Sequence, residues 1–265
     1  MAERGQPAGQ HHDEYDTAMV AMLELIWGAG FLAPGGADTV RQTVEGVALQ
    51  DRLVLDIGCG IGGGDLVLAG ELGARVIGID LEAPLLARAR RYAADAGLAE
   101  RVEFRQVEPG PLAFADASID AVYSSGCFTQ VEDKAGMFAE VFRVLRPGGA
   151  FCVYDWMKGP EPYSADMRRW FEVEGLTYAM DTLENHGRLL RDAGFTEIVL
   201  RDDGGWYRDH CRAEFARMQG PLQARMGELL GAEKQAHFIE NWRVMLMVLD
   251  KGELRPGFYR ARKPG

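Results

Sequence analysis

The clearest chemistry in the chain lies in Asp56-Ile-Gly-Cys-Gly-Ile-Gly-Gly-Gly64 and in Val76-Ile-Gly-Ile-Asp80-Leu81. An apolar run (Leu53, Val54, Leu55) ends on an acid and then on a turn rich in glycine. Glycines suit a backbone that must turn tightly and let a ligand approach without a Cβ in the way. A second apolar run, residues 75–79, ends on Asp80, where a carboxylate can accept hydrogen bonds from two ribose hydroxyls. The pair, in register, points to an adenosine-containing cofactor. Gly58, Gly60 and Gly63 also satisfy G-x-G-x-x-G, the dinucleotide fingerprint. Asp56, two residues before the first glycine, argues against a pyrophosphate and suits a cationic ligand carrying an ammonium and a sulfonium. The run Gly62-Gly63-Gly64 is also looser than a helix start built to hold a phosphate.

The elements that must position these residues follow from the apolar pattern. Strands are expected at 53–57, 75–80, 102–107, 119–124 and 150–156, alternating with helices at 64–72, 84–96 and 134–145. That alternation makes an α/β fold with a doubly wound, Rossmann-like sheet. Arg146-Pro-Gly-Gly149 closes the last of these helices. Beyond it, helices are expected at 165–174 and 182–193, strands at 197–201 and 257–262, and two long helices between 206 and 249. Three regions emerge: N-terminal lid helices at 1–45, a cofactor-binding core at 46–160, and remaining helices and edge strands at 161–265, with a helical cap at about 204–254.

The form Asp56-x-Gly58-x-Gly60-x-Gly62 with Asp80 resembles the first motifs of the class I S-adenosylmethionine-dependent methyltransferases. The resemblance implies a seven-stranded sheet whose last two strands form an edge hairpin, and S-adenosyl-L-methionine as cofactor, leaving S-adenosyl-L-homocysteine as product. It places Asp56, Gly58, Cys59, Gly60, Gly62, Asp80, Leu81, Glu108, Ser124 and Ser125 at the cofactor, Glu108 standing where the class puts an acid against the adenine amino group.

A narrower resemblance rests on Glu14-Tyr15-Asp16, Trp27-Gly28, Phe31-Leu-Ala-Pro-Gly-Gly36, the glycine run at 62–64 and the closing Gly257-Phe-Tyr-Arg-Ala-Arg-Lys263. Over nearly its whole length the chain is similar to the phosphoethanolamine N-methyltransferases. In that family a lid tyrosine, matched by Tyr15, pairs with a histidine to take the substrate's proton. The histidine position is Gln130 here, in Tyr123-Ser-Ser-Gly-Cys-Phe-Thr-Gln-Val131, and an amide takes no proton at neutral pH. A family aspartate falls at Gly126, and the phosphate-binding arginine and lysine fall at Leu176 and Met245, while a tyrosine is kept at Tyr178. A desolvated phosphate without cationic donors is costly to bind. The expected acceptor is therefore a small amine or amino acid without phosphate. Tyr15 and Gln130 are the expected catalytic positions, and Tyr15, Gly126, Trp156 and Tyr178 the substrate contacts. Phe128, Trp206 and Trp242 are further aromatic candidates for the pocket.

Composition narrows the rivals. The chain has 265 residues, 47% hydrophobic and 26% charged, with a net charge of −11. So acidic a chain lacks the basic face a nucleic acid needs. No run reaches the roughly eighteen consecutive apolar residues of a membrane span. Residues 1–14 do not read as a signal peptide. Cys59, Cys127, Cys152 and Cys211 have no C-x-x-C spacing, so reduced thiols in a cytoplasmic protein are expected. The five histidines show no metal-ligand spacing, and no metal is expected. Acids between 159 and 209, including Glu161, Asp166, Glu172, Glu174, Asp181 and Glu184, make either a solvated surface or a funnel for a cationic amine. The partner is a small-molecule methyl acceptor. Alternatives are S- or O-methylation of a small metabolite such as a thioether amino acid, a non-catalytic cofactor-binding partner, and a cyclase or isomerase on the same fold. The sequence leaves the oligomeric state open.

Overall fold

The structure, a computed structural model, describes residues 17–175 and 178–265. Tyr15 and Leu176 lie outside the described residues. The apolar runs form strands β1 (Leu53–Ile57), β2 (Arg75–Asp80), β3 (Val102–Gln106), β4 (Ile119–Ser125) and β5 (Leu145–Asp155), followed by β6 (Thr196–Asp202) and β7 (Gly257–Arg262). They build one seven-stranded sheet in the order β3-β2-β1-β4-β5-β7-β6. The pairs among β1 to β5 are parallel, and β7 runs antiparallel between β5 and β6. The order reverses beside β1, so β1 and β4 diverge at a switch point, where ligands of open α/β sheets bind.

Helices cover the sheet: α1 (Thr17–Trp27), α2 (Gly36–Thr43), α3 (Gly63–Gly70), α4 (Ala83–Asp95), α5 (Lys134–Val144), α6 (Ala165–Glu174), α7 (Leu183–Asp192), α8 (Gly204–Gln219) and α9 (Gln223–Asp250). Side-chain caps start several of them. Asp133 accepts from the Gly136 N–H, Ser164 from Asp166 and Met167, and Thr182 from Asn185. The two long helices expected between 206 and 249 are α8 and α9, and α9 bends where Gly231 takes a φ of 74°.

Apolar side chains bury on both faces of the sheet. One cluster joins Val40, Val54, Leu68, Val76 and Leu86; the other joins Leu55, Val122, Phe138, Phe151 and Tyr259. Val40 of α2 and Val44, which caps its end, belong to the first cluster, so α2 is part of the core layer and the expected lid at 1–45 is divided. A third cluster joins Met22, Leu23 and Ile26 of α1 with Met167 and Trp170 of α6, Tyr207 and Cys211 of α8, and Trp242 and Val248 of α9. The cap thus has its own core, and α1 is built into it. All four cysteines are unpaired. Among the described residues, no helix is long and apolar enough to cross a membrane.

Candidate active site

A cavity of about 2130 Å³ opens at the carboxyl ends of β1, β2, β4 and β5, roofed by α1, α6 and α9. Ordinary ligand pockets measure roughly 300–1,000 Å³, so this one has room for two ligands. Its two halves have different chemistry.

The first half is the glycine turn after β1. Gly58 and Cys59 donate their N–H groups to the Ile79 carbonyl at 2.9 and 3.1 Å, which pins the turn to β2. Gly58 has a φ of 74°, and a Cβ there would stand 2.5 Å from the Cys127 Cβ. Gly63 donates to the Gly30 carbonyl at 2.9 Å, and a Cβ on it would lie 2.2 Å from that oxygen. At these two positions the approach that excludes a side chain is made by protein, from Cys127 after β4 and from the segment after α1. Gly62 likewise packs on Phe104 and Ala89 and does not line the cavity.

Asp80 ends β2 with both carboxylate oxygens held, Oδ2 by the Gly60 N–H at 2.8 Å and Oδ1 by the Glu82 N–H at 3.0 Å. Each oxygen keeps a second lone pair for a hydroxyl donor. Beside it Leu81 is 47% exposed, an apolar surface at the cavity wall, and exposed Glu108 stands on the rim. Asp56 and Asp65 are both buried, and Asp56 Oδ1 and both Asp65 oxygens have no hydrogen-bond donor among the described residues. Burial raises the pKa of both carboxyls, and Asp56 adds its charge to the rise at Asp65. Only Asp56 lines the cavity. A glycine turn, an acid with lone pairs free for a diol and an acid with one oxygen lacking a donor fit a cofactor with a ribose, an ammonium and a sulfonium. Among the described residues no group of three His, Cys, Asp or Glu side chains could hold a metal.

The wall shared by both halves is β4 and the 3-10 turn Phe128–Gln130. Ser125, Gly126 and Gln130 line the cavity, Gln130 with its side chain exposed. Ser124 does not: its hydroxyl is buried and donates to the Ile57 carbonyl at 2.7 Å, tying β4 to β1. The expected cofactor contact there is a structural bond.

The second half is aromatic. Trp27, Trp156, Trp170, Tyr178, Phe238 and Trp242 line it together with Met245. Trp170 and Tyr178 stack at 5.2 Å with planes 8° apart, and Trp156 meets Tyr207 edge-on at 4.9 Å. Two expected aromatics are elsewhere. Phe128 is in the core against Phe138 and Phe151, and Trp206 stacks on His210 outside the cavity. Behind the wall, buried Glu214 accepts from the indole N–H groups of Trp27 at 2.7 Å and Trp242 at 3.0 Å. Burial lifts Glu214 to about 7. Asp155, beneath Trp156, is raised to about 7 by burial too.

Of the acids between 159 and 209, Glu174 alone lines the cavity. Asp166 pairs with Lys251, Glu172 with Arg169 at 3.7 Å, and Asp181 bonds Asn185, so the stretch is mainly solvated surface and not a funnel. Among the described residues, the lining contains no Arg, Lys or His, while it includes Asp56, Asp80, Glu82, Glu108 and Glu174. Sequence reasoning missed Asp65, Trp27, Trp170, Glu214 and Asn241. The four-residue spacing of Trp170 and Glu174, which places both on one helix face, was the one available signal.

The sheet order matches the Rossmann-like methyltransferase fold, and residues 55–153 match the family described as Methyltransferase domain. The chain is 28% identical over 251 residues to phosphoethanolamine N-methyltransferase 1 of Arabidopsis thaliana, covering 94% of this chain and 50% of that protein. Phosphoethanolamine N-methyltransferase 2 of Haemonchus contortus, solved with phosphomonomethylethanolamine and S-adenosylhomocysteine, superposes with a TM-score of 0.88 at 24% identity, over 96% of this chain and 59% of that one. A putative sarcosine dimethylglycine methyltransferase from Galdieria sulphuraria gives 0.77 at 21% identity, over 94% and 99%. The chain spans about half the length of the curated relatives it matches.

Proposed function

We propose that the protein transfers a methyl group from S-adenosylmethionine to the nitrogen of a small amine that carries no phosphate. The observation that carries this reading is the lining of the cavity: aromatic faces and carboxylates, with no cationic side chain among the described residues. A phosphate taken out of water there would lack charged donors. An amine or its methylated ammonium product would meet the ring faces that attract cations. Met245 occupies a position where the phosphoethanolamine enzymes are expected to place a lysine, and it is buried in the cap core.

The cofactor, when bound, supplies an already activated methyl group. The chain's residues then have three tasks. Asp56, Asp80 and the turn at 58–60 hold the cofactor's cationic and ribose groups. Trp27, Trp156 and Trp242 exclude water and orient the acceptor, which is the main source of rate in such a transfer. A proton must leave an ammonium acceptor, and Tyr15 is the proposed group to take it, with Gln130 positioning the acceptor by its amide. The test is a screen of small amines, amino acids, thioethers and phosphoethanolamine, reading S-adenosylhomocysteine release and product mass. Turnover confined to non-phosphorylated amines is expected; turnover of phosphoethanolamine at comparable efficiency would falsify the reading.

A further inference from the structure

Glu174 closes the last turn of α6 and lines the cavity together with Trp170 and Tyr178. Its carboxylate accepts hydrogen bonds from the amide of buried Asn241 on α9 and from the Tyr178 hydroxyl. Asn241 is fixed in turn, because its Oδ1 accepts from the Trp170 indole at 3.1 Å. Burial raises the Glu174 pKa, and both donors only partly offset it. Both of these donors are neutral, so the charge at the cavity wall has hydrogen bonds without a counter-charge among the described residues. A carboxylate set among stacked rings in this way is complementary to a cation.

That cation is not the reacting nitrogen. A nitrogen held as an ammonium by a carboxylate has no lone pair to accept a methyl group. The carboxylate is on the α6–α9 wall, whereas Ser125, Gly126 and Gln130 belong to the β4 wall beside the cofactor turn. We propose that Glu174, with Trp170, Tyr178 and Asn241, is a subsite for a second cationic group of the acceptor, so that the substrate is an aliphatic diamine or a related dication. This inference rests on the amine reading above and assigns the end of the acceptor that is not methylated.

The test uses binding, which separates it from turnover. Calorimetry on the full chain saturated with S-adenosylhomocysteine would compare 1,6-diaminohexane with hexylamine, two probes of equal length differing in one terminal ammonium. The diamine is expected to bind about tenfold tighter or more, the scale of a hydrogen bond to a charged group. In Glu174→Gln that ratio should collapse toward one, since glutamine can still bond Asn241 and Tyr178 without the charge. A wild-type ratio near one overturns the subsite whatever the variant does, and so does a ratio that survives Glu174→Gln. Should the variant fail to fold, 6-amino-1-hexanol decides on the wild type: its hydroxyl can hydrogen-bond Glu174 without a second charge, so it should bind about tenfold weaker than the diamine, and equal binding refutes the subsite. Diamine binding without methylation of any amine would sink the reaction assigned above and leave the subsite standing.

Discussion

The indole N–H of Trp27 donates to Glu214 at 2.7 Å, joining residues 187 positions apart in the chain. Trp27 closes α1, and Glu214 sits on α8 with its other oxygen on the Trp242 indole. The Arg217 guanidinium, one turn further along α8, bonds the carbonyls of Leu25 and Ile26. One carboxyl therefore sets two rings of the cavity's aromatic wall and anchors α1.

Stability should record that carboxyl's titration. Burial raises Glu214 from 4.5 to about 7, against the hydrogen bonds from Trp242 and Trp27 and the Arg217 charge; Tyr207 and His210 are its other polar neighbours. The folded protein thus binds a proton more tightly than the unfolded chain does. Its contribution is fully present below about pH 4.5 and is lost as pH rises through 7. Asp155, raised from 3.8 to about 7, acts with the same sign. Melting temperature should fall between pH 5 and 8. Glu214→Gln should lower it overall, since one indole loses its acceptor, and flatten that slope without abolishing it. An unaltered slope in the variant would remove Glu214 from the account.

Gly63→Ala tests the contact between the glycine turn and the segment after α1. The added Cβ would be 2.2 Å from a backbone oxygen, Gly30 O, and backbone cannot swing aside as a side chain can. The segment 28–36 should be displaced, lowering S-adenosylhomocysteine affinity and turnover together by about tenfold or more, as overpacking by one methyl typically costs 1–3 kcal/mol. Calorimetry giving wild-type affinity would mean that the contact is not needed in the bound state.

Asp80→Ala removes the acceptor for the Gly60 and Glu82 N–H groups as well as the proposed ribose contacts. Cofactor affinity should fall by about 1–3 kcal/mol, the usual cost of losing hydrogen bonds to a charged group. The same titration on the variant checks it, and an unchanged S-adenosylhomocysteine affinity would refute the placement.

Much of the fold and the cofactor half of the site could be read from sequence because they are local. Residues 56–81 form one strand–turn–helix–strand unit, and β1, β2 and β7 begin and end at the expected residues. The aromatic half is not local. Its walls come from α1, α6 and α9, and no spacing rule links Trp27 to Glu214 or Trp170 to Asn241. Residue type was also a poor guide to direction there. Phe128 and Gln130 are two residues apart in one 3-10 turn, yet Phe128 packs in the core and Gln130 faces the cavity. Ser124 and Ser125 diverge for a plainer reason, since neighbours on a strand point to opposite faces.

Phosphoethanolamine should be a poor substrate or none. The phosphate would meet Met245, Phe238 and Glu174 on the α6–α9 wall. Met245→Lys should raise its turnover only slightly, because one cation in an aromatic wall replaces just part of the donor set a phosphate needs. Kinetics with radiolabelled cofactor would measure both, and efficient wild-type turnover would overturn the alignment that places Met245 and Leu176 at the phosphate.

The final prediction concerns the proton. If Tyr15 touches the acceptor, Tyr15→Phe should lower kcat while leaving S-adenosylhomocysteine affinity nearly intact, since only a hydroxyl is lost. If Tyr15 also takes the proton of an amine, the loss should be about 10²-fold or more, the scale of general-base effects. A thioether acceptor releases no proton, so the same variant would then lose much less. Gln130→His supplies an imidazole at a position that faces the cavity and that can accept a proton at neutral pH. It should raise kcat for an amine and add a titration near pH 6.5 to the rate profile, the ordinary range of histidine. Deleting residues 1–16 should abolish turnover but not folding, because the described cap core draws on Met22, Leu23 and Ile26 of α1, all beyond the deletion. A truncated protein with full activity would remove Tyr15 from the mechanism, and the gain from Gln130→His would then have to be explained without it.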